Sequence, residues 1–341
     1  MEGDRTKASL SGRRVLVTGA GGFIGSRLCE RLVEIGAEVR VLVRYTSDGD
    51  AGWLDRSPIR GEIDVRRGDL ADRDSVLDAV RDREIVFHLG ALIAIPYSYL
   101  APESYVRTNI LGTLNVLQTV RELGVARLIH TSTSEVYGTA RYVPIDEAHP
   151  LQGQSPYSAS KIGADQMALS FHAAFGTPVT VCRPFNTYGP RQSARAVIPT
   201  IITQIAAGAE ELKLGALAPT RDFNHVSDTV RAFAALAACD AAVGQTVNVG
   251  SGFEISIGDT AALIAELMGA RPRIVEDGQR LRPALSEVER LWADASLMTR
   301  LTGWAPAYGG RDGFRRGLED TIAWFRQPEN LSAYNAERYV L

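Results

Sequence analysis

Tyr157 and Lys161 stand four residues apart, a spacing that puts both side chains on one helical face. Shortly before them runs Ser132-Thr133-Ser134-Glu135, and far upstream lies the glycine loop Thr18-Gly19-Ala20-Gly21-Gly22-Phe23-Ile24-Gly25-Ser26. Gly19, Gly22 and Gly25 have the spacing of a strand-to-helix turn whose bare backbone approaches a pyrophosphate at the positive helix end, with Phe23 and Ile24 opening that helix. A phenol titrates near 10 and is a poor base at neutral pH, but a neighbouring ammonium and a nicotinamide cation lower that value. The lysine's three donors can also reach the nicotinamide ribose. Tyr157 is therefore predicted to take a proton from a sugar hydroxyl that Thr133 holds, while a bound dinucleotide accepts the hydride. Glu135 adds a second chemistry. A ketone made at C4 acidifies the proton on C5, and a carboxylate on that side can abstract it. An enzyme that only epimerises at C4 has no use for such a base.

The end of the second predicted strand bears on the choice of dinucleotide. A carboxylate there accepts hydrogen bonds from the adenosine ribose diol, whereas an arginine tolerates a 2′-phosphate. This chain has Arg44, with no acid until Asp48, which tilts the expectation from NAD towards NADP. Asp69 and Leu70, after the third strand, are expected beside the adenine. Leu89, Gly90 and Ala91, after the fourth, are expected along the cofactor ribose.

Elements that position these residues follow from periodicity. Short β-rich runs at 14–18, 39–43, 63–66, 85–89, 127–131 and 179–182 alternate with helical patterns, notably 23–35, 108–123 and 158–175. That alternation predicts an α/β fold: a Rossmann-like doubly wound parallel sheet with helices on both faces. Beyond Pro184 the rhythm breaks into loops, a helix at 198–207, a strand at 245–249, a helix at 257–268 and an Arg-rich stretch at 278–289. The expected organisation is a polar N-terminal tail at 1–12 and a dinucleotide-binding domain at 13–184. A smaller α/β substrate lobe at 185–330 follows, whose strands exchange with the first domain, and then a C-terminal tail at 331–341. Ligands of such sheets bind at the carboxyl ends of the strands.

Composition restricts the function classes. The chain has 341 residues, is 45% hydrophobic and carries a net charge of −3, without a long run of either sign. No nucleic-acid or membrane-surface footprint follows from it. Cys29, Cys182 and Cys239 are widely spaced and odd in number, as expected for reduced thiols, not a disulfide frame or a metal site. The polar start lacks a signal peptide's apolar core, so the expected location is cytoplasmic.

The glycine loop, Thr133, Tyr157 and Lys161 resemble the extended short-chain dehydrogenase/reductase superfamily over nearly the whole chain. The runs at 91–99, 131–140, 152–165, 183–201 and 283–294 are similar to bacterial nucleotide-sugar 4,6-dehydratases of the legionaminic acid type. That resemblance implies a substrate such as UDP- or GDP-N-acetylglucosamine, a 4-keto-6-deoxy product, a cofactor that stays bound, and a homodimer formed through the helices at 108–123 and 158–175. It makes Tyr157 the O4 base with Lys161 and Thr133, and Glu135 the C5 base. Asn186, Val197, Arg191, Arg221 and Arg282 become substrate ligands, and Pro184 joins the cofactor set; an arginine fork suits a pyrophosphate. One position departs from the related dTDP-glucose enzymes: Ser134 stands where they carry an aspartate that protonates the leaving hydroxyl. Either Glu135 performs both tasks or a water performs the second. A UDP-glucuronate decarboxylase, a related nucleotide-sugar elimination or epimerisation enzyme, and a dinucleotide-sensing regulator are the alternatives.

Overall fold

Runs of valine, leucine and isoleucine with both faces buried form the centre of the molecule. Strands such as Ile-Val-Phe-His at 85–88 and Val-Thr-Val-Cys-Arg-Pro at 179–184 bury every residue, as strands covered on both faces must. The computed structural model describes residues 2–334. In chain order it contains α1 (Glu2–Leu10), β1 (Arg14–Thr18), α2 (Phe23–Ile35), β2 (Glu38–Arg44), β3 (Asp64–Gly68), α3 (Arg73–Val80), β4 (Ile85–His88), α4 (Ile95–Leu100), α5 (Pro102–Tyr105), α6 (Gly112–Glu122), β5 (Arg127–Thr131), α7 (Pro156–Phe175), β6 (Val179–Pro184) and β7 (Asn186–Tyr188). There follow α8 (Val197–Ala206), β8 (Glu211–Leu214), β9 (Thr220–His225), α9 (Val226–Ala237), β10 (Thr246–Val249), β11 (Glu254–Ser256), α10 (Ile257–Met268), β12 (Arg273–Glu276), β13 (Arg290–Leu291), α11 (Ser296–Thr302), α12 (Gly310–Phe325) and α13 (Pro328–Leu331).

Seven strands pair in parallel in the order β10-β6-β5-β4-β1-β2-β3. The chain reverses direction of travel between β1 and β4, and a crevice opens above the carboxyl ends at such a switch point. Helices cover both faces. Leu28 and Leu32 of α2 pack with Val230 and Phe233 of α9 on one side. On the other, Val76 of α3, Val116 and Leu117 of α6, and Phe171 of α7 share a second core. A third core joins Ile198 and Ile202 of α8, Ile264 of α10 and Phe314 and Leu318 of α12 around Phe223 of β9. There β9 pairs with β7, β11 and β13, and β8 pairs with β12.

The doubly wound parallel sheet is as the alternation predicted. Two local features differ from the sequence reading. Residues 2–10, expected as a tail, form α1, which packs on α9 and buries Leu10 completely; a single anchoring leucine leaves no periodic signal. The helix expected at 108–123 begins as a π-helical turn, Val106–Leu111, before continuing as α6. Of the stretch 331–341, residues 335–341 lie outside the described residues.

Candidate active site

A cavity of about 1610 Å³ runs over the carboxyl ends of the central strands and under α8, β9 and the 279–287 loop. At one end lies the glycine loop. Gly19 has φ +68°, and a Cβ there would stand 2.7 Å from the Gly90 nitrogen. A Cβ on Gly25 would collide with the Gly19 carbonyl, so α2 packs against the loop only with glycine at that place. The first turn of α2 starts at Gly22 with no side-chain cap and no acid, which leaves its amide groups and positive dipole end open to an anion. These features fit a dinucleotide pyrophosphate. Beyond the loop, Leu89 and Ala91 line the cavity; Gly90 faces Thr18 instead, whose Oγ1 accepts from the Gly90 nitrogen. Asn109, presented by the π-helical turn, holds this segment: it accepts from the Leu92 amide (2.8 Å) and donates to the Leu92 carbonyl (2.9 Å) and Ser160 Oγ (2.9 Å).

Tyr157 sits in the first turn of α7, fixed by a capping box between Ser155 and Ser158 and by Pro156 at the helix start. Thr133 lies against the Tyr157 phenol in the cavity wall, and its Oγ1 accepts from the Glu135 amide at 3.3 Å. Burial pushes the phenol above its ordinary value; the neighbouring Thr133 hydroxyl opposes that, and the charges of Glu135 and Asp165 add to it. Tyr105 closes on the ring edge-to-face at 6.3 Å. One turn along α7, Lys161 Nζ donates to the Thr131 carbonyl at 2.6 Å. Burial brings the ammonium down to about 8, against the pull of Asp165. Ser134 and Glu135 lie in a short 3-10 turn, Ser134–Tyr137, at the exit of β5, and both side chains are buried yet line the cavity.

The expected substrate residues Asn186, Arg191, Val197, Arg221 and Arg282 all line the same cavity. Arg221 is buried and donates to the Thr220 carbonyl (2.9 Å) and Glu287 (3.2 Å), and Arg282 reaches the same Glu287 oxygen at 3.4 Å. Arg191 is placed differently from the expectation. Its guanidinium donates to Ser26 Oγ (3.1 Å) and Glu30 Oε1 (2.7 Å) of α2, on the dinucleotide side. The start of α8, at Ala196 and Val197, is a second helix N-terminus without a side-chain cap that opens on the cavity. Pro184 lines it too.

Arg44, Asp69 and Leu70 do not line the cavity. Arg44 is exposed at the end of β2, Asp69 accepts from the Ala71 amide, and the Leu70 carbonyl accepts from Asn115. Sequence reading missed the loop after β2. There Trp53 donates its amide to the Gly21 carbonyl at 3.0 Å, and Asp50, Trp53 and Asp55 form the cavity rim. The glycines at 49 and 52 were the available signal; Gly52 takes φ +67° and packs on the Gly21 backbone. Asn109, and Arg195, which lines the cavity, were missed as well, each being one polar residue inside an unremarkable pattern.

Residues 16–317 match the family described as GDP-mannose 4,6 dehydratase. The chain belongs to this family. Its place in the extended short-chain dehydrogenase/reductases agrees with the resemblance read from the motifs. Within the family, dTDP-glucose 4,6-dehydratase of Streptomyces antibioticus is 32% identical over 319 residues, covering 92% of each chain. UDP-N-acetyl-alpha-D-glucosaminuronate decarboxylase of Bacillus cytotoxicus is 31% identical over 329 residues, covering 93% of this chain and 99% of that one. Among solved structures, DesIV of Streptomyces venezuelae, a dTDP-glucose 4,6-dehydratase with NAD bound, superposes with a TM-score of 0.84 at 29% identity, covering 95% of this chain and all of that one. The epimerase Mth375 of Methanothermobacter thermautotrophicus superposes with a TM-score of 0.88 at 29% identity, covering 97% of each chain.

Proposed function

We propose that this chain is an NAD(P)-dependent nucleotide-sugar 4,6-dehydratase that converts UDP- or GDP-N-acetylglucosamine to the 4-keto-6-deoxy sugar nucleotide. The observation that carries this reading is the meeting of two proton-handling groups, Tyr157 on Thr133 and the buried Glu135, in one cavity with the glycine loop. When bound, the nicotinamide supplies reversible two-electron chemistry, taking the C4 hydride and giving it to C6. Tyr157 accepts the O4 proton, with Thr133 holding the oxygen and Lys161 beside the ring that must be charged. Glu135 removes the C5 proton; its electrons form the C5–C6 double bond as the C6–O bond breaks. With Ser134 alongside, a hydroxyl far too weak an acid for the task, Glu135 passes that proton to the departing oxygen as water leaves. A proton returned to C5 balances the one taken from O4.

Two uncapped helix starts, α2 and α8, open on one cavity, and each suits a pyrophosphate. Gly19, Gly22, Phe23, Ile24 and Gly25 hold the dinucleotide with Leu89, Ala91 and Pro184, while Asn186, Val197, Arg221 and Arg282 hold the sugar nucleotide. Arg191 braces α2. Exposed Arg44, at a strand end without a carboxylate, favours NADP over NAD, and separate Kd measurements for the two decide it. Exposed Leu111, Leu123 and Phe175 on the helices at 106–123 and 156–175 support a homodimer, which sedimentation tests.

The similarity to the decarboxylase of Bacillus cytotoxicus favours a second reading, decarboxylation of a nucleotide-linked uronate. Incubating the pure protein separately with UDP- and GDP-N-acetylglucosamine, dTDP-glucose and UDP-glucuronate, followed by mass spectrometry, separates the readings. Loss of water from a neutral sugar is the expected result. Loss of carbon dioxide from the uronate, with the neutral sugars untouched, overturns it.

A further inference from the structure

Behind the lining residues of the active site lies a fully buried polar cluster that the proposed reaction does not use. Asp165 follows Lys161 by one turn on the same face of α7. Its Oδ1 meets His130 Nε2 at 3.1 Å, and its Oδ2 accepts from Ser132 Oγ (2.5 Å) and from Arg183 Nε (3.2 Å) and Nη2 (3.0 Å). His130 and Ser132 flank Thr131, whose carbonyl holds Lys161 Nζ. From the far side Arg183 Nη1 donates to Tyr137 Oη (3.0 Å), which donates to Asn248 Oδ1 (2.7 Å). Tyr137 closes the short turn that carries Glu135. One carboxylate is thus tied to the backbone that positions the lysine and, through Arg183, to the turn that positions the acid.

We infer that Asp165 is a positioning residue: its buried carboxylate supplies the opposite charge that keeps Lys161 an ammonium beside Tyr157, and fixes that ammonium on the strand end. The inference rests on the proposed role of Lys161 as partner of Tyr157. The hydrogen bond from Lys161 goes to a neutral carbonyl, so the charge itself needs compensation from elsewhere. Asp165 on α7, His130 on β5 and His88 on β4 act on Lys161 directly, Arg183 on β6 is paired with Asp165, and Tyr157 and Glu135 lie on the cavity side. Burial holds both His88 and His130 below their ordinary values, so they add no charge at neutral pH. Burial works to raise Asp165, but His130, Arg183 and Lys161 together hold it below the usual carboxylate range, and it stays an anion.

Three lysines in the whole chain, Lys7, Lys161 and Lys213, make the test direct. Protein labelled with 13C at the lysine ε-carbon gives three signals to follow against pH, and Lys161→Arg identifies the one that matters. Wild-type Lys161 is expected to titrate at about 8. In Asp165→Asn the midpoint falls by about one pH unit or more, the shift expected when a near opposite charge is lost, and the alkaline edge of turnover moves down with it. The double variant Asp165→Asn/Arg183→Gln removes one buried charge of each sign and is read against Arg183→Gln alone, below which its Lys161 midpoint is expected to lie by a similar amount. Ser132→Ala leaves the carboxylate charged and the Lys161 midpoint in place. A midpoint unchanged from wild type in Asp165→Asn, or unchanged from Arg183→Gln in the double variant, or an equal fall in Ser132→Ala, overturns the inference. Because this titration needs no substrate, its failure is distinct from failure of the dehydratase reading.

Discussion

Replacing Glu135 with glutamine keeps the size and removes the charge of the group proposed to take the C5 proton. We expect kcat to fall by about 10²- to 10⁴-fold, the usual contribution of a placed acid or base, while KM for the sugar nucleotide changes little. Steady-state kinetics on the substrate found by mass spectrometry check this, and undiminished kcat removes Glu135 from the mechanism. Thr133, Glu135, Tyr157 and Lys161 were legible in the sequence because they sit on two neighbouring elements, β5 with its exit turn and the start of α7. Arg191 was not, because what fixes its guanidinium is Glu30, 161 residues away. Asp165 escaped for a related reason: its partners come from β5 and β6, and only the folded sheet brings them to one carboxylate.

At the level of elements, the β1–α2 turn tolerates little change. An alanine at Gly19 would sit at φ +68° with its Cβ 2.7 Å from the Gly90 nitrogen, a backbone atom that cannot swing aside. The left-handed backbone alone costs about 1–2 kcal/mol, and relieving the contact moves the loop away from α2's open amides. Gly19→Ala is expected to lower Tm modestly and to lose most dinucleotide affinity, measured by differential scanning and by isothermal calorimetry; wild-type affinity would mean that this loop does not hold the pyrophosphate. The first six strands announced themselves by runs of apolar residues separated by helical spacing. Strands of the smaller lobe did not: β11 has three residues and β13 two, too few for a period-two pattern to stand out, and the six residues of β9, Thr-Arg-Asp-Phe-Asn-His, are polar but for Phe223 although five of them are buried.

For the whole molecule, acid stability turns on buried histidines. His88, His130 and His225 are all held below the ordinary value of 6.5, first by burial, with His225 at about 4. The unfolded chain takes up these protons before the folded one does, so stability is complete above about 6.5 and is lost as pH falls towards about 4. Asp222 acts in the opposite sense: burial raises it to about 6, against hydrogen bonds from Ser251, Ala293 and Gly252, so acidification from about 6 to 3.8 favours the fold at that site. Glu147, also raised by burial, acts in the same sense as Asp222; the three histidines outweigh these two carboxyls, and Tm is expected to be lower at pH 5 than at pH 7, so a Tm that rises on acidification contradicts the assignment. A different coupling follows from Arg191, whose single guanidinium fastens the loop after β7 to Ser26 and Glu30 of the dinucleotide helix. On the proposed assignment of the cleft, the seat of one ligand is thereby built partly from the wall of the other, and binding of either should tighten binding of its neighbour by the same factor. Arg191→Gln should abolish that mutual gain while leaving each separate Kd nearer its solitary value, so the two occupants of the cleft would behave as strangers.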